Sequence, residues 1–413
     1  MKMCKAWIVV ALAGAALSAF PSGFGLYEAS AKAHAMNGAV VGRATDASAN
    51  FFNPATLTDL DRPTVTFGFV TEHPRGRVRV DGARSKKMDP GMFVLPHVQT
   101  AVPLPWGFAA GLGVMPEYGL GSAYTHDWEL RANSRDTTVM SATVNPNLAW
   151  KATDRWSVGG GLRFLFFDFE QHADTMRDLG IDHRLKGDND MKNFGWQLGT
   201  KYDLLDNLSL GLVWKSETYV RVKGKSQVDG HGKFRGVPGY DALYQQFAAI
   251  DGPAKTTLVL PQSITAGFNW DVTETWHLGF AAMWTQWSSV DTLHFHLNGQ
   301  TKDIRLNWKD TWRFAVAPSW DFADDWTAIL SYAYETDCCG RQDSTMLPPS
   351  ERHMISSGLV WRATENLELA LSYGLILLDG HTSDCTTADG VRHRYKAHGA
   401  LCHSAGFTVT YRF

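Results

Sequence analysis

The chain has 413 residues, a net charge of −3 and 12% aromatic residues, among them 16 Trp, 22 Phe and 12 Tyr. The near-neutral charge speaks against a nucleic-acid partner. A soluble chain of this length would divide into about two or three domains, whereas the size of a membrane β-barrel follows strand number, and its two interfacial girdles are aromatic.

Lys2 and Lys5 precede an apolar run from Trp7 to Leu17, the pattern of a secretory signal, with cleavage expected near residues 20–23. Residues 1–21 are therefore read as a signal peptide. Cys4 lies before the apolar run, so it is not a lipid-attachment cysteine. No later stretch reaches the roughly 18 apolar residues of a transmembrane helix. Residues 22–63 are irregular and rich in small residues, unlike a strand, and are read as a hatch plugging the lumen of a barrel formed by residues 64–413.

From Thr64 onward the pattern is of strands. Phe194, Trp196 and Leu198 alternate with Gly195, Gln197 and Gly199. Trp312, Phe314 and Val316 alternate with Thr311, Arg313 and Ala315, and Phe407, Val409, Tyr411 and Phe413 with Thr408, Thr410 and Arg412. Strands are expected near 64–73, 91–102, 106–117, 137–150, 155–170, 191–204, 207–223, 256–271, 275–296, 303–321, 325–336, 351–362, 366–378 and 402–413. That makes about fourteen, an even number. Their length exceeds the soluble average, and short connections (151–154, 206–207, 273–275, 323–325, 363–366) alternate with long ones (171–190, 225–255, 337–350, 379–401). Tight periplasmic turns and long outer loops produce this alternation. The fold class is all-β: a transmembrane antiparallel barrel of about fourteen strands with an N-terminal hatch.

Met115-Pro116-Glu117-Tyr118-Gly119-Leu120 interrupts the third strand. Proline is excluded from central ladders except at bulges and edges, so the strand either kinks or ends here. A kink would leave backbone groups needing cover from other protein, such as the hatch. On the fifth strand Trp156, Val158, Leu162 and Phe164 read as outward, so Arg163, Leu165 and Phe167 read inward. By the same period Lys309, Thr311 and Arg313 read inward beside Trp312 and Phe314. Cations beside apolar lumen residues suit a pocket for an apolar tail and a carboxylate head. They could equally pair with acids such as Glu28, Asp46 or Glu368.

A substrate groove is expected among outer-loop residues such as Leu120, Tyr124, Trp128 and Leu130. Gly239–Ile250, with Tyr240, Leu243, Tyr244, Phe247 and Ile250 at helical spacing, is either part of that groove or a cap on the barrel rim. Cys338, Cys339, Cys385 and Cys402 fall at the last two outer loops, where an oxidising envelope favours disulfides; a Cys385–Cys402 bond or a link between the loops is preferred. The nearby His381, His393, His398 and His403 have no zinc-type spacing, so no metal or cofactor is expected. No nucleophile-elbow pattern singles out a serine, so an enzyme such as a lipase-like barrel is the weaker reading.

The stretches SGFGLYE (22–28), NPATLTDLDRP (53–63), EYGL (117–120) and WKDTWRFAVAPSW (308–320) together resemble the FadL family of outer-membrane transporters for long-chain fatty acids and other hydrophobic compounds. The resemblance implies a hatch whose fixed part is Asn53-Pro54-Ala55 and whose movable end includes Ser22, Gly23 and Phe24. It also implies a lateral opening at Pro116, Tyr118, Gly119 and Leu120, and passive uptake of fatty acids or, alternatively, neutral hydrocarbons. A monomer in contact with outer-membrane lipid and lipopolysaccharide is expected. The family commonly carries a Ser-Pro-type turn where this chain has Cys338-Cys339-Gly340.

Overall fold

The computed structural model describes residues 25–132, 134–176, 181–189, 193–230, 234–290, 292–305, 308–338, 351–386 and 392–413. The first part of the wall comprises β1 (Thr64–Val80), β2 (Lys86–Met88), β3 (Phe93–Pro103), β4 (Phe108–Met115), β5 (Gly119–Ala123), β6 (Asp136–Lys151) and β7 (Trp156–Met176). Then come β8 (Ile181–Asn189), β9 (Phe194–Leu205), β10 (Leu208–Lys215), β11 (Thr218–Gly230), β12 (Gly252–Leu260), β13 (Ser263–Asp271), β14 (Trp276–Thr285) and β15 (Thr292–Leu297). The last are β16 (Gln300–Arg305), β17 (Thr311–Ala323), β18 (Trp326–Glu335), β19 (Arg352–Arg362), β20 (Leu367–Leu378), β21 (His381–Thr386) and β22 (Arg392–Arg412).

The ring runs β1-β3-β4-β6-β7-β9-β10-β13-β14-β17-β18-β19-β20-β22 and closes by antiparallel pairing of β22 with β1, giving a closed 14-strand antiparallel barrel. Closure pairs each strand of the ring on both sides over most of its length, as the bilayer requires, since unpaired backbone groups would find no water there. The expected alternation is present: Trp312 and Phe314 are exposed while Thr311 and Arg313 are buried. Phe67, Phe69, Trp196, Leu198 and Leu330 likewise face outward. Such a band would be an aggregation hazard in water and is the lipid face of a barrel.

β1, β7 and β22 extend beyond the expected 73, 170 and 402, to Val80, Met176 and down to Arg392. Above the bilayer the outward face turns polar, as at Arg75, Arg77 and Arg79 on β1, so the apolar outer stripe that marks a membrane strand fades while backbone pairing continues. The expected strands 207–223 and 256–271 are each broken, at 216–217 and 261–262.

Residues 25–63 lie in the lumen. Ser30 caps α1 (Ala31–Ala35), its Oγ accepting from Ala33 N at 3.2 Å. After α2 (Ala49–Phe52), Asn53 caps a 3-10 turn, Pro54–Asp59, that begins with Pro54. Gly239–Ile250 contains α3 (Tyr240–Ala248). Tyr240, Phe247 and Ile250 join Tyr124, Trp128 and Leu130 in one buried apolar cluster at the outer end. Trp128 and Leu130 are fully buried, so they form the floor of a cap and not an open groove.

Candidate functional site

β3 pairs with β4 only from Val98–Val114 to Pro103–Ala109, while β5 pairs only with β6. Phe93–His97 of β3 therefore faces β5 with no ladder between them. The isolated bridge Met88–Tyr124 lies beyond this gap, and the Phe93 ring crosses it: a Cβ on Gly121 would stand 2.1 Å from that ring. The third strand thus continues past Pro116 with a kink, as β5, and does not end there.

The backbone freed by the kink is satisfied from two sides. Ser141 Oγ accepts from Glu117 N at 3.3 Å and Tyr118 N at 2.8 Å. From the lumen, Leu26 N donates to Glu117 O at 2.8 Å, and Gly25 bridges Tyr118. This meets the requirement that irregular backbone at membrane depth be covered by protein.

The Glu117 side chain organises the charges beneath the kink. It accepts from Arg163 Nη2 at 2.6 Å and Nε at 3.3 Å, from Thr143 Oγ1 at 3.1 Å and from Lys215 Nζ at 3.5 Å. Arg163 Nη1 also donates to Ser216 O at 3.3 Å, in the break between β10 and β11. Lys215 stands over the Phe51 ring at 3.4 Å. Arg313 donates to Asn37 O at 2.8 Å and lies over Tyr27. Tyr27, Arg163, Lys215 and Arg313 line a 60 Å³ cavity.

A cavity of 840 Å³ lies on the other side of Gly25–Glu28, its lining mainly apolar. It reaches Leu26, Phe93, Leu95, Leu120 and Phe167, so residues of both the β3 and β5 edges line it. Its polar groups on the lumen side include Glu28, Glu72 and Arg352. Glu72 Oε2 accepts from the Cys402 thiol at 2.8 Å. Burial raises the Glu28 carboxyl above its ordinary range.

The rest of the lumen segment is tied to the wall. Asn53 Nδ2 donates to Val41 O at 2.7 Å and Thr200 O at 3.1 Å, and Ala55 N returns to Asn53 Oδ1 at 3.1 Å. The wall approaches closely here: a Cβ on Gly199 would lie 2.1 Å from Asn53 Oδ1, and one on Gly159 2.6 Å from Ala55 N. Gln197 donates to Asn50 O at 2.6 Å, and Gln99 to Ala29 O at 2.7 Å. The ring nitrogens of His34 lie 2.9 and 2.8 Å from the hydroxyls of Ser372 and Ser404.

The profile of the family described as outer membrane protein transport protein (OMPP1/FadL/TodX) matches residues 12–413. The chain belongs to this family. The long-chain fatty acid transport protein of Escherichia coli O6:H1 (strain CFT073) is 24% identical, over 94% of this chain and 93% of its own length. Outer membrane protein P1 of Haemophilus influenzae is 21% identical over 72% of this chain and 68% of its own length. In fold, the chain is similar to a Pseudomonas aeruginosa FadL homologue, with a TM-score of 0.84 at 18% identity over 95% and 100% of the two chains. The Pseudomonas putida toluene transporter TodX gives a TM-score of 0.71 at 15% identity over 94% and 99%. The protein is an outer-membrane transporter of hydrophobic compounds of the FadL/TodX type.

Against the expectations from sequence, the structure distributes the candidate residues as follows. Ser22, Gly23 and Phe24 lie outside the described residues, as does Cys339. Pro116, Tyr118, Gly119 and Leu120 line the large cavity with Phe167, while Leu165 is buried behind it in the apolar cluster. Arg163 and Arg313 point inward but line the smaller cavity. Arg163 is indeed paired with an acid, although the acid is Glu117 and not Glu28, Asp46 or Glu368.

Lys309 is a correction. It is exposed and reaches neither cavity, because β17 begins at Thr311 and the period-two rule does not extend past the strand's end. The Cys385–Cys402 disulfide is a second correction. Cys385 pairs across from His393, nine residues along β22 from Cys402, roughly 30 Å at strand rise and far beyond disulfide reach. Cys402 is instead a thiol bonded to Glu72 on the barrel wall.

Sequence reasoning missed Glu72, Glu117, Lys215 and Arg352 as site groups. Glu72 was reachable by parity, since Thr64, Thr66 and Val70 on the same face of β1 are also buried.

Proposed function

We propose that this protein admits long-chain fatty acids passively from outside the cell and releases them sideways into the outer leaflet through the gap between β3 and β5. The observation that carries this reading is that both edges of that gap, Phe93–Pro96 and Tyr118–Gly121, line the 840 Å³ apolar cavity next to Gly25–Glu28. Leu26 and Gly25 hold the kink by one hydrogen bond and one bridge, so withdrawal of Gly25–Glu28 enlarges the path while the remaining lumen segment stays bound. The named function of the E. coli relative supports a fatty acid, with Arg352 the cation of the cavity's lumen side. A second reading, a neutral hydrocarbon, is favoured by Glu28 and Glu72 on the same cavity, which disfavour a carboxylate.

Uptake of labelled oleate and toluene by cells with and without the protein tests both readings. Leu95→Trp should fill the gap and lower uptake several-fold, and Phe93→Ala should widen it and raise uptake. Arg352→Gln should reduce oleate entry alone if the fatty acid is the substrate. Neither compound entering faster with the protein, or no response to both gap variants, would refute the proposal.

A further inference from the structure

The outward face of β1 changes character abruptly along its length. Val65, Phe67 and Phe69 belong to the lipid band, and Thr71 and His73 follow. His73 is across from His403, which bonds the Tyr373 hydroxyl at 2.7 Å in the outer girdle. The next three outward positions are Arg75, Arg77 and Arg79, all exposed. At two residues per step, about 7 Å, the first guanidinium stands just above the girdle and the third about 14 Å beyond it along the strand. Arg84, in the turn to β2, joins them around a 660 Å³ groove floored by Leu401 and His403.

Sheet register makes this ladder electrostatically unfavourable by itself. Arg79 is paired directly across from Lys396, and Arg77 lies between His398 on β22 and Lys87 on β2. Like charges directly opposite each other destabilise a sheet. The neighbouring acids are engaged elsewhere. Asp89 is held by Lys87 and His73, Asp384 by Arg392 and Arg394, and Asp81 by His393 and the Arg394 amide. Among the described residues no acid pairs with Arg75, Arg77, Arg79, Arg84 or Lys396. A row of uncompensated cations at the head-group level calls for anions from the membrane itself.

We infer that Arg75, Arg77 and Arg79, with Arg84 and Lys396, form a docking site for the phosphate-bearing head group of lipopolysaccharide in the outer leaflet. Guanidinium forks match phosphate oxygens in pairs, the ladder spans more than one phosphate, and Leu401 at its foot meets the start of the acyl region. Arg75 also lines the large cavity, so the bound glycolipid sits beside the β3 flank of the wall gap.

The test is titration of the purified full chain, stripped of lipopolysaccharide in detergent, with intact lipopolysaccharide, with the same lipid after enzymatic dephosphorylation, and with oleate. Bound lipid is read by native mass spectrometry, and folding by circular dichroism. R75Q/R77Q/R79Q should weaken binding of intact lipopolysaccharide at least about tenfold, on the basis of charge contributions near anionic lipid. Dephosphorylation should weaken wild-type binding comparably. R75K/R77K/R79K, which keeps the charge and loses the paired fork, should bind between wild type and the glutamine variant, and Arg155→Gln, at the opposite rim, should change nothing. Binding of the glutamine variant within twofold of wild type, equal binding of the dephosphorylated lipid, or loss of oleate binding alone would overturn the assignment.

Discussion

The lumen segment meets the wall in two ways. Around Asn53-Pro54-Ala55 the contact is broad: neutral hydrogen bonds from Asn53, Gln197 and Asn147, and bare glycine backbone at Gly159 and Gly199 that lets the chains approach closely. At Gly25–Glu28 the contact is narrower: one backbone hydrogen bond, one bridge, the Tyr27 ring under Arg313 and the edge of an apolar cavity. The strong group nearby, Glu117 with Arg163 and Lys215, is built from wall and kink residues and touches the lumen segment at Phe51, beneath Lys215. The wall therefore holds part of its own irregular backbone, Ser141 taking Glu117 N and Tyr118 N, while the lumen segment caps Glu117 O through Leu26 N. This contrast is what permits one end of a buried segment to move while the other remains.

The largest test of the contrast is the charge cluster. Glu117→Gln leaves the Arg163 guanidinium buried, only 2% exposed, against a neutral partner, and should destabilise the barrel by about 3–5 kcal/mol. Denaturant unfolding would measure it, and the double replacement Glu117→Met with Arg163→Met should recover most of the loss. If Glu117→Gln instead frees residues 25–28 without affecting barrel stability, the cluster serves the lumen segment and the contrast fails.

A smaller effect is expected at the broad contact. Gly159→Ala brings a methyl against the Ala55 backbone and should cost about 1–3 kcal/mol by overpacking. Hydrogen exchange should quicken at residues 53–57 and remain unchanged at Gly25–Glu28.

The smallest expected effect is on pH dependence. Burial, with a lesser contribution from Arg313, lowers the His34 pKa from 6.5 to about 4. The docked segment therefore binds fewer protons than a released one between these values. The His34 contribution is complete above pH 6.5 and is lost as the pH falls toward 4. The raised carboxyls of Glu28 and Asp59 act in the opposite sense, so the His34 share is isolated as the difference between wild type and His34→Gln. Exchange at Ala31–Ala35 should accelerate on acidification in wild type more than in that variant.

The alternation of Trp312, Phe314 and Val316 with Thr311, Arg313 and Ala315, and of short with long connections, made the barrel and its strand number legible in the sequence. Pro116 and Gly119 likewise marked the kink. These are local signals: side chains alternate by backbone geometry, and a proline withholds a donor wherever it sits. The partners of the charges were not legible. Arg163 pairs with a residue 46 positions away, and Lys215 meets the same carboxylate from 98 positions away. Inward orientation alone could not distinguish them from Lys309, which lies past its strand's end.

The sequence by itself thus determined the membrane face, the strand count and the place where the wall is interrupted, because each depends on neighbours along one strand. Only the tertiary structure decided that Glu117 neutralises Arg163, that Cys402 meets Glu72 and that Phe93 and Leu120 line one apolar cavity. Those depend on the register in which the ring closes and on what fills it, which no single strand records.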